Sequence, residues 1–119
     1  MRLELFVDDV SESLTFYRDV LGFEVMGENA SYKSLRFGES RIAVQDVRTL
    51  EPGHPLAGPG KRGLGVEFVL EVGDVTALHQ RVQKQWAHVT GLKRQAWGLT
   101  DFRVTDPDGY YWRITEQRR

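Results

Sequence analysis

A long-range repeat restricts this sequence to a duplicated fold. Residues 7–10, VDDV, align with residues 72–75, VGDV, at an offset of 65 positions. In both halves an alternating apolar segment precedes the aspartate and apolar residues at helical spacing follow it, which predicts a strand, a capped helix and further strands. We therefore predict two βαβββ modules. Each buries too little apolar surface alone, so their sheets are expected to pair, within one chain or between chains.

The predicted elements follow the same order in each half. Asp9 is the N-cap of a helix that ends at Gly22, and Asp74 caps the corresponding helix of the second half. Strands are predicted at residues 2–7, about 23–28, 31–37 and 40–46, and at 66–72, about 88–94, 100–105 and 110–116. Proline and glycine are frequent between the halves, which favours a linker. The prediction is one domain over residues 1–119, with module one at about 1–46, the linker at about 47–63 and module two at about 64–119.

The composition argues against several classes of partner. Sixteen Lys and Arg stand against 17 Asp and Glu, with no dense basic run, so nothing favours nucleic acid or an anionic membrane. No apolar segment approaches the roughly 18 residues of a membrane span, and no signal-peptide pattern opens the chain, so a cytoplasmic location is expected. The absence of cysteine excludes disulfides and thiolate metal sites.

The segment DPDGYYWRITE, residues 106–116, predicts a tight turn followed by a strand. Alternation along this strand separates a core face, with Tyr110, Trp112 and Ile114, from an opposite face with Tyr111, Arg113 and Thr115.

Two longer segments, FVDDVSESLTFYRDVLGFEV and WGLTDFRVTDPDGYYWRITE, resemble the vicinal oxygen chelate superfamily. This superfamily groups glyoxalase I, fosfomycin-resistance transferases, extradiol dioxygenases and bleomycin-resistance proteins. The resemblance covers nearly the whole chain. It implies an α+β fold in which two βαβββ modules form a curved mixed sheet around a cleft, and it implies a homodimer.

The enzymes of this superfamily hold a divalent cation with His, Gln or Glu from the first and last strands of the modules. The resemblance places Arg2, Glu67 and Arg113 at three of these positions, and Ala43 at the fourth, give or take one residue. A guanidinium offers a cation no lone pair, so only Glu67 can be a ligand. We therefore predict no metal ion and no other cofactor. Instead, we expect an ionic network of Arg2, Glu67 and Arg113 in the cleft, with an arginine fork to Glu67.

The candidate ligand-binding residues combine these charged positions with side chains that alternation or the resemblance places near the cleft. They are Arg2, Glu4, Phe6, Phe37, Glu67, Val69, Trp97, Tyr111 and Arg113. For Glu4 and Glu71 a solvated face is an equally good interpretation, and Trp97 suits a dimer interface as well as a cleft rim. Core positions are assigned to Tyr17, Phe68, Phe102 and Trp112. Catalytic residues are unknown, and His54, His79 and His88 are interpreted as structural or solvated.

The leading functional hypothesis is metal-independent binding or sequestration of a small organic molecule, as in the bleomycin-resistance branch. Bleomycin itself is a poor candidate, because a large cationic ligand favours a strongly acidic protein. One alternative is a glyoxalase- or dioxygenase-like lyase or oxidoreductase with atypical metal ligands, drawn from Glu4, Gln45, Glu67 or Glu116. Another is a non-catalytic interaction module with a vestigial cleft.

Overall fold

A computed structural model describes residues 1–58 and 60–118 of the chain, apart from the side chain of Glu28. It contains two compact units, residues 1–61 and residues 62–119, which are the first and the second module. Each module has a four-stranded mixed sheet and helical segments. The fold is therefore α+β with two βαβββ modules, as the repeat predicts.

The first module follows the predicted order of elements. They are β1 (Arg2–Val7), α1 (Val10–Leu14) with a π-helical extension (Thr15–Leu21), β2 (Glu24–Asn29), β3 (Tyr32–Phe37), β4 (Ser40–Asp46) and a 3-10 turn (Val47–Thr49). The sheet order is β1-β4-β3-β2, with β1 parallel to β4 and the other neighbours antiparallel. The four predicted strands are thus present, with bounds correct to within one residue.

The second module repeats this arrangement. Its elements are β5 (Phe68–Val72), α2 (Val75–Gln85), β6 (Lys93–Arg94), β7 (Thr100–Thr105) and β8 (Tyr111–Glu116). The sheet order is β5-β8-β7-β6, with β5 parallel to β8. None of the helices in the described part of the chain has the length and apolar character needed to cross a membrane.

Aspartate caps begin both helices, as the repeat predicts. Asp9 Oδ1 accepts a hydrogen bond from the backbone N–H of Glu12 at 3.0 Å, and Asp74 Oδ1 accepts one from Ala77 at 3.0 Å. Gly22 ends the first helical segment with a φ of 92°, a left-handed conformation that glycine adopts without steric cost.

The strand predicted at about 88–94 is wrong in extent. It is reduced to β6 and an isolated bridge at Val89. Thr90 interrupts the ladder, because its Oγ1 accepts the N–H of Arg103 at 2.8 Å and its carbonyl oxygen lies 2.9 Å from His79 Nε2. Side chains thus take hydrogen bonds that a regular strand gives to backbone groups.

The core of the second module lies between α2 and one face of the sheet. Trp112 is buried and Tyr111 is exposed, which confirms the predicted register of β8. Phe102 is also buried, as assigned, whereas Phe68 is half-buried and packs edge-on against Trp112 with 5.0 Å between ring centroids. Each fully buried side chain of this size contributes roughly 1.5–3 kcal/mol. In the first module Tyr17 is fully buried, also as assigned.

The predicted turn before β8 fixes where that strand begins. Asp106 Oδ1 accepts hydrogen bonds from the backbone N–H groups of Asp108 at 2.9 Å and Tyr110 at 2.8 Å. Gly109 has a φ of 100°, which suits glycine. Because side chains alternate from this point, the turn also determines which face Arg113 takes.

Candidate ligand-binding site

A cavity of about 490 Å³ lies on the face of the second sheet that α2 does not cover. Its walls come from β5 and the residue before it, from β7 and β8, from the segment before β7 and from the residues after β8. The lining residues are Glu67, Val69, Glu71, Trp97, Leu99, Arg103, Arg113, Thr115 and Arg118. The period of two along three strands therefore gathers these side chains into one concave site.

Two arginines share the carboxylate of Glu67 in this cavity. Arg113 Nε donates to Glu67 Oε1 at 3.0 Å, and Arg103 Nε lies 3.5 Å from Glu67 Oε2. The arginine side chains are 22% and 23% exposed, so the pairs are only partly screened by water. The contact between Arg113 and Glu67 that the sequence predicts is present, but it uses one Nε donor rather than a two-pronged fork.

Asp101 extends the network below the cavity surface. Its side chain is 1% exposed, and its Oδ1 accepts hydrogen bonds from Arg103 Nη1 at 2.7 Å and Gln95 Nε2 at 2.8 Å. Asp101 pairs with Thr115 across β7 and β8. Neither Asp101 Oδ2 nor Thr115 Oγ1 has a hydrogen-bond partner among the described residues. Since buried polar groups are normally satisfied, this pair is an unusual feature of the site.

Trp97 forms an aromatic wall of the cavity. The guanidinium carbon of Arg113 lies 5.9 Å from the centroid of the Trp97 ring, within range of a cation–π interaction. The ring is still 49% exposed. Trp97 therefore helps to position Arg113 and also offers apolar surface to a bound molecule.

The first-module candidates lie on a separate sheet, and their contacts differ. Arg2 Nη2 donates to Glu4 Oε1 at 3.0 Å, and the Tyr32 hydroxyl lies 3.5 Å from the same oxygen. Phe6 alternates with the buried Leu5 and Val7, so it shares the face of Arg2 and Glu4.

Phe37 and Tyr111 have surroundings different from those of the other candidates. Phe37 packs against the buried Phe23 with 5.4 Å between ring centroids, and it alternates in phase with the buried Leu35. It therefore belongs to the helix-covered face of its sheet. Tyr111 is exposed on the same face of β8 as Arg113, but it does not line the cavity.

Sequence reasoning missed several lining residues, of which Arg103 is the most important. The signal was available: Phe102 and Val104 are apolar neighbours in β7, so alternation places Arg103 on the opposite face. Thr115 and Glu71 were placed on this face but were not chosen as site residues. Leu99 and Arg118 lie outside regular strands, where alternation gives no information.

The histidines have structural contacts. His79 is buried, with its ring edge-on to Phe102 at 5.0 Å and its Nε2 next to Thr90. His54 Nδ1 accepts the backbone N–H of Leu56 at 3.0 Å, and His88 packs edge-on against Trp86. None of the three lines the cavity.

The residues of the cavity do not fit the divalent ion that the superfamily resemblance implies. Both Glu67 oxygens face guanidinium groups, and Arg113 occupies a position where the enzymes place a ligand. Among the side chains that the structure describes, no three His, Cys, Asp or Glu are grouped closely enough to hold a metal ion. A tight divalent site needs three or four such donors.

Several solved structures are similar to nearly the whole chain. A protein of unknown function from Agrobacterium tumefaciens str. C58 is 29% identical, with a TM-score of 0.81 over 97% of this chain and 90% of that one. Lactoylglutathione lyase from Agrobacterium tumefaciens is 21% identical, with a TM-score of 0.75 over 98% and 91%. A bleomycin-binding protein solved in complex with bleomycin is 19% identical, with a TM-score of 0.70 over 99% and 98%.

No curated protein matches the chain. The family model described as Glyoxalase/Bleomycin resistance protein/Dioxygenase superfamily matches residues 2–114. Together with the two βαβββ modules, this match confirms the resemblance seen in the sequence. The chain belongs to the glyoxalase/bleomycin resistance protein/dioxygenase superfamily.

Proposed function

We propose that this chain is a metal-independent binding protein that sequesters a small organic molecule in the cavity of the second module. One observation carries the proposal: two guanidiniums share the Glu67 carboxylate in the lining of a cavity of about 490 Å³. An ion-paired lining of this kind provides fixed hydrogen-bond donors, but it leaves no free ligand set for a cation.

The size and lining of the cavity support a small-molecule ligand. Ligand pockets typically measure roughly 300–1,000 Å³ and combine apolar walls with a few polar groups that set orientation. Val69, Trp97 and Leu99 supply the apolar walls, and the arginines supply the polar groups. The bleomycin-binding neighbour gives further support, because its structure shows the same fold in complex with a small molecule.

A homodimer is part of the proposal. Each sheet carries its helix on one face, so the opposite face needs a cover other than that helix. Sedimentation at micromolar concentration tests this point, and a monomer would contradict it. We also propose a cytoplasmic location, which the absence of cysteine supports.

Ligand screening with two matched valine variants tests the binding function. Val69 lines the cavity, whereas Val66 is exposed in the same module and does not line it. Val69→Trp should fill the cavity, and Val66→Trp should leave it open. We expect compounds from a chemically diverse library to raise the Tm of the wild type and of Val66→Trp by several degrees, but not that of Val69→Trp.

Three outcomes contradict the proposal. The first is the absence of any stabilising compound, which favours the non-catalytic interaction module. The second is an equal Tm increase in Val69→Trp, which places binding elsewhere. The third is a stoichiometric divalent metal in protein purified without chelator, which favours a metal-dependent enzyme with atypical ligands.

A further inference from the structure

We propose that the ligand of this cavity carries a carboxylate on a flat, unsaturated scaffold, and that Arg113 is the residue that receives the carboxylate. The inference rests on the proposed binding function and names the chemical class of its ligand. It follows from the hydrogen-bond donors that the cavity leaves unused, from its charge and from its aromatic wall.

Arg113 has unused donors in the cavity. Its Nε donates to Glu67, while its two Nη atoms donate to no described residue. A guanidinium presents its N–H groups in a planar fork that matches the two oxygens of a carboxylate. The remaining edge of Arg113 is therefore suited to a ligand with paired oxygen acceptors.

Arg103 adds a second positive charge beside Arg113, which favours an anionic group in the ligand. It pairs directly with Arg113 across β7 and β8, so two positive side chains stand opposite each other on one face. Side chains at such positions are roughly 4.5–5.5 Å apart at Cβ, and like charges there repel. Glu67 offsets part of this repulsion, and a ligand oxyanion would offset more.

Thr115 is a second polar group of the cavity without a partner. The residue is 3% exposed and lines the same cavity, yet its hydroxyl has no hydrogen-bond partner in the part of the chain that the structure describes. Alternation places Thr115 next to Arg113 on the same face of β8. Asp101, whose Oδ2 also lacks a partner, faces Thr115 across the strands, so a ligand carboxylate on Arg113 would compete with Asp101 for this hydroxyl.

The charges of the site argue against a cation and against a dianion. Three arginines and two glutamates line the cavity, so the lining alone has one positive charge in excess. Asp101, bonded to Arg103 beneath the surface, adds one negative charge and brings the sum to zero. A cation would meet the free edge of Arg113, because both Glu67 oxygens already face arginine, and a monoanion adds less uncompensated charge than a phosphate dianion.

The scaffold is inferred from Trp97. Its ring is half-exposed, and the guanidinium carbon of Arg113 lies over it at 5.9 Å from the centroid. A flat scaffold beside the carboxylate can therefore cover the exposed part of the indole while its oxygens reach Arg113. Offset stacking of aromatic groups contributes roughly 0.5–1.5 kcal/mol beyond the burial of apolar area, which corresponds to about a two- to tenfold gain in affinity at room temperature.

Calorimetry with matched head groups tests the inference. The probes are carboxylate, primary amide and methylammonium derivatives of four flat scaffolds: benzene, naphthalene, indole and quinoline. We expect at least one carboxylate to bind wild-type protein about tenfold or more tightly than its amide and ammonium counterparts. Tighter binding of the amide or ammonium series would overturn the inference and leave the binding function intact. No carboxylate binding on any scaffold overturns it as well, and the library screen then decides the binding function separately.

Two variants locate the carboxylate. Arg113→Lys keeps a positive charge beside Glu67 but removes the fork, so we expect about a tenfold loss of carboxylate affinity and little change for the amide. Thr115→Val removes only the unpartnered hydroxyl and should fold normally while it weakens carboxylate binding several-fold. Arg48→Lys, on the exposed surface of the first module, is the matched control and should leave affinity unchanged. Carboxylate affinity that survives both cavity substitutions would contradict the assignment to Arg113.

Discussion

Each sheet has one face that the helix of its module does not cover. At the centre of this face the first module has Ser34 and Ala43, whereas the second module has Arg103 and Arg113. The strand registers establish this correspondence: Ser34 pairs with Ala43 between β3 and β4, and Arg103 pairs with Arg113 between β7 and β8. In the parallel pairs, Glu4 faces Ala43 and Val69 faces Arg113, so β1 corresponds to β5 at an offset of 65 residues and β4 corresponds to β8 at an offset of 70. The topology of the modules is therefore the same, while the chemistry of the central positions differs.

The charged residues also differ in what they connect. In the first module Arg2 and Glu4 are two residues apart on one strand, with side chains 55% and 37% exposed. In the second module Glu67 joins Arg113 of β8 and Arg103 of β7. Exposed pairs of the first kind contribute roughly 0–1 kcal/mol, whereas a partly buried network holds its members in place more strongly. Helix caps and apolar alternation thus define the fold in both halves, and the sheet face without a helix differs in chemistry while the fold stays the same.

The largest expected effect is that of Asp101→Ala in the second module. The substitution removes the acceptor shared by Arg103 and Gln95 and leaves their part-buried N–H groups without it. We expect the free energy of unfolding to fall by about 3 kcal/mol, as when one partner of a buried ion pair is removed. Unfolding in urea, followed by circular dichroism, measures the change.

The matched control is Tyr32→Phe, since Tyr32 holds the corresponding place on β3 of the first module. Its hydroxyl makes one long contact, 3.5 Å to Glu4, so its loss should change stability by no more than about 0.5 kcal/mol. Equal effects of the two variants would show that the network in the second module contributes no more than the exposed pair in the first.

Glu67→Gln should have an intermediate effect. It leaves two partly buried guanidiniums without their shared carboxylate, and we expect a loss of about 1–2 kcal/mol, less than for a fully buried pair because the arginines keep some exposure. Arg103 keeps its bond to Asp101, so adding Arg113→Gln removes the charge that is left without a carboxylate and should restore part of the stability. The first-module control, Glu4→Gln, should cost at most about 0.5 kcal/mol. A double variant less stable than Glu67→Gln would argue against repulsion between the arginines.

Trp97→Leu should have a smaller effect on stability than on ligand affinity. The cation–π contact with Arg113 is at the outer limit of its range, so its loss should cost no more than about 1 kcal/mol. Met26→Leu, another exposed apolar side chain in the first module, is the control and should stay within about 0.5 kcal/mol. Unchanged carboxylate affinity in Trp97→Leu would remove the indole from the binding surface.

The sequence predicted most of the fold because the signals that form it are local. Asp9 and Asp74 each cap a helix by binding the N–H group three residues further along the chain. Alternation alone assigns Tyr111 to the exposed face of β8 and Trp112 to the buried face. The strand predicted at about 88–94 was wrong because the Thr90 hydroxyl, in place of a backbone carbonyl, accepts the N–H of Arg103. These residues are 13 positions apart, so no local sequence pattern predicts the contact.

The candidate site was predicted only in part because its contacts join distant segments. The contact of Glu67 with Arg113 spans 46 residues and was expected from the superfamily resemblance, not from local pattern. Arg103 could have been placed on the same face, but its bond to Asp101 depends on how deeply that carboxylate is buried. Because an aspartate side chain is rarely fully buried, the residue type alone predicts an exposed Asp101, and only the packing of the folded module shows that it is buried.

The smallest expected effect concerns the end of the last strand in each module. Asp46 ends β4 and corresponds to Glu116 at the end of β8. Hydrogen bonds from the Arg48 side chain, with a further bond from the Arg48 backbone N–H, lower the pKa of Asp46 from its ordinary value of 3.8 to about 2. Because the folded-state pKa is depressed, the stabilisation is fully present above the ordinary pKa and is lost as the pH falls through about 2. The stability difference between wild type and Asp46→Asn should therefore be constant near neutral pH and shrink between about pH 4 and pH 2. Urea unfolding across this range measures the stability difference.

An NMR titration tests the cause of the lowered pKa. The Asp46 carboxyl carbon should titrate with a midpoint near 2, and this midpoint should move toward 3.8 in Arg48→Ala. An unchanged midpoint in Arg48→Ala would show that the arginine does not hold this carboxylate in solution.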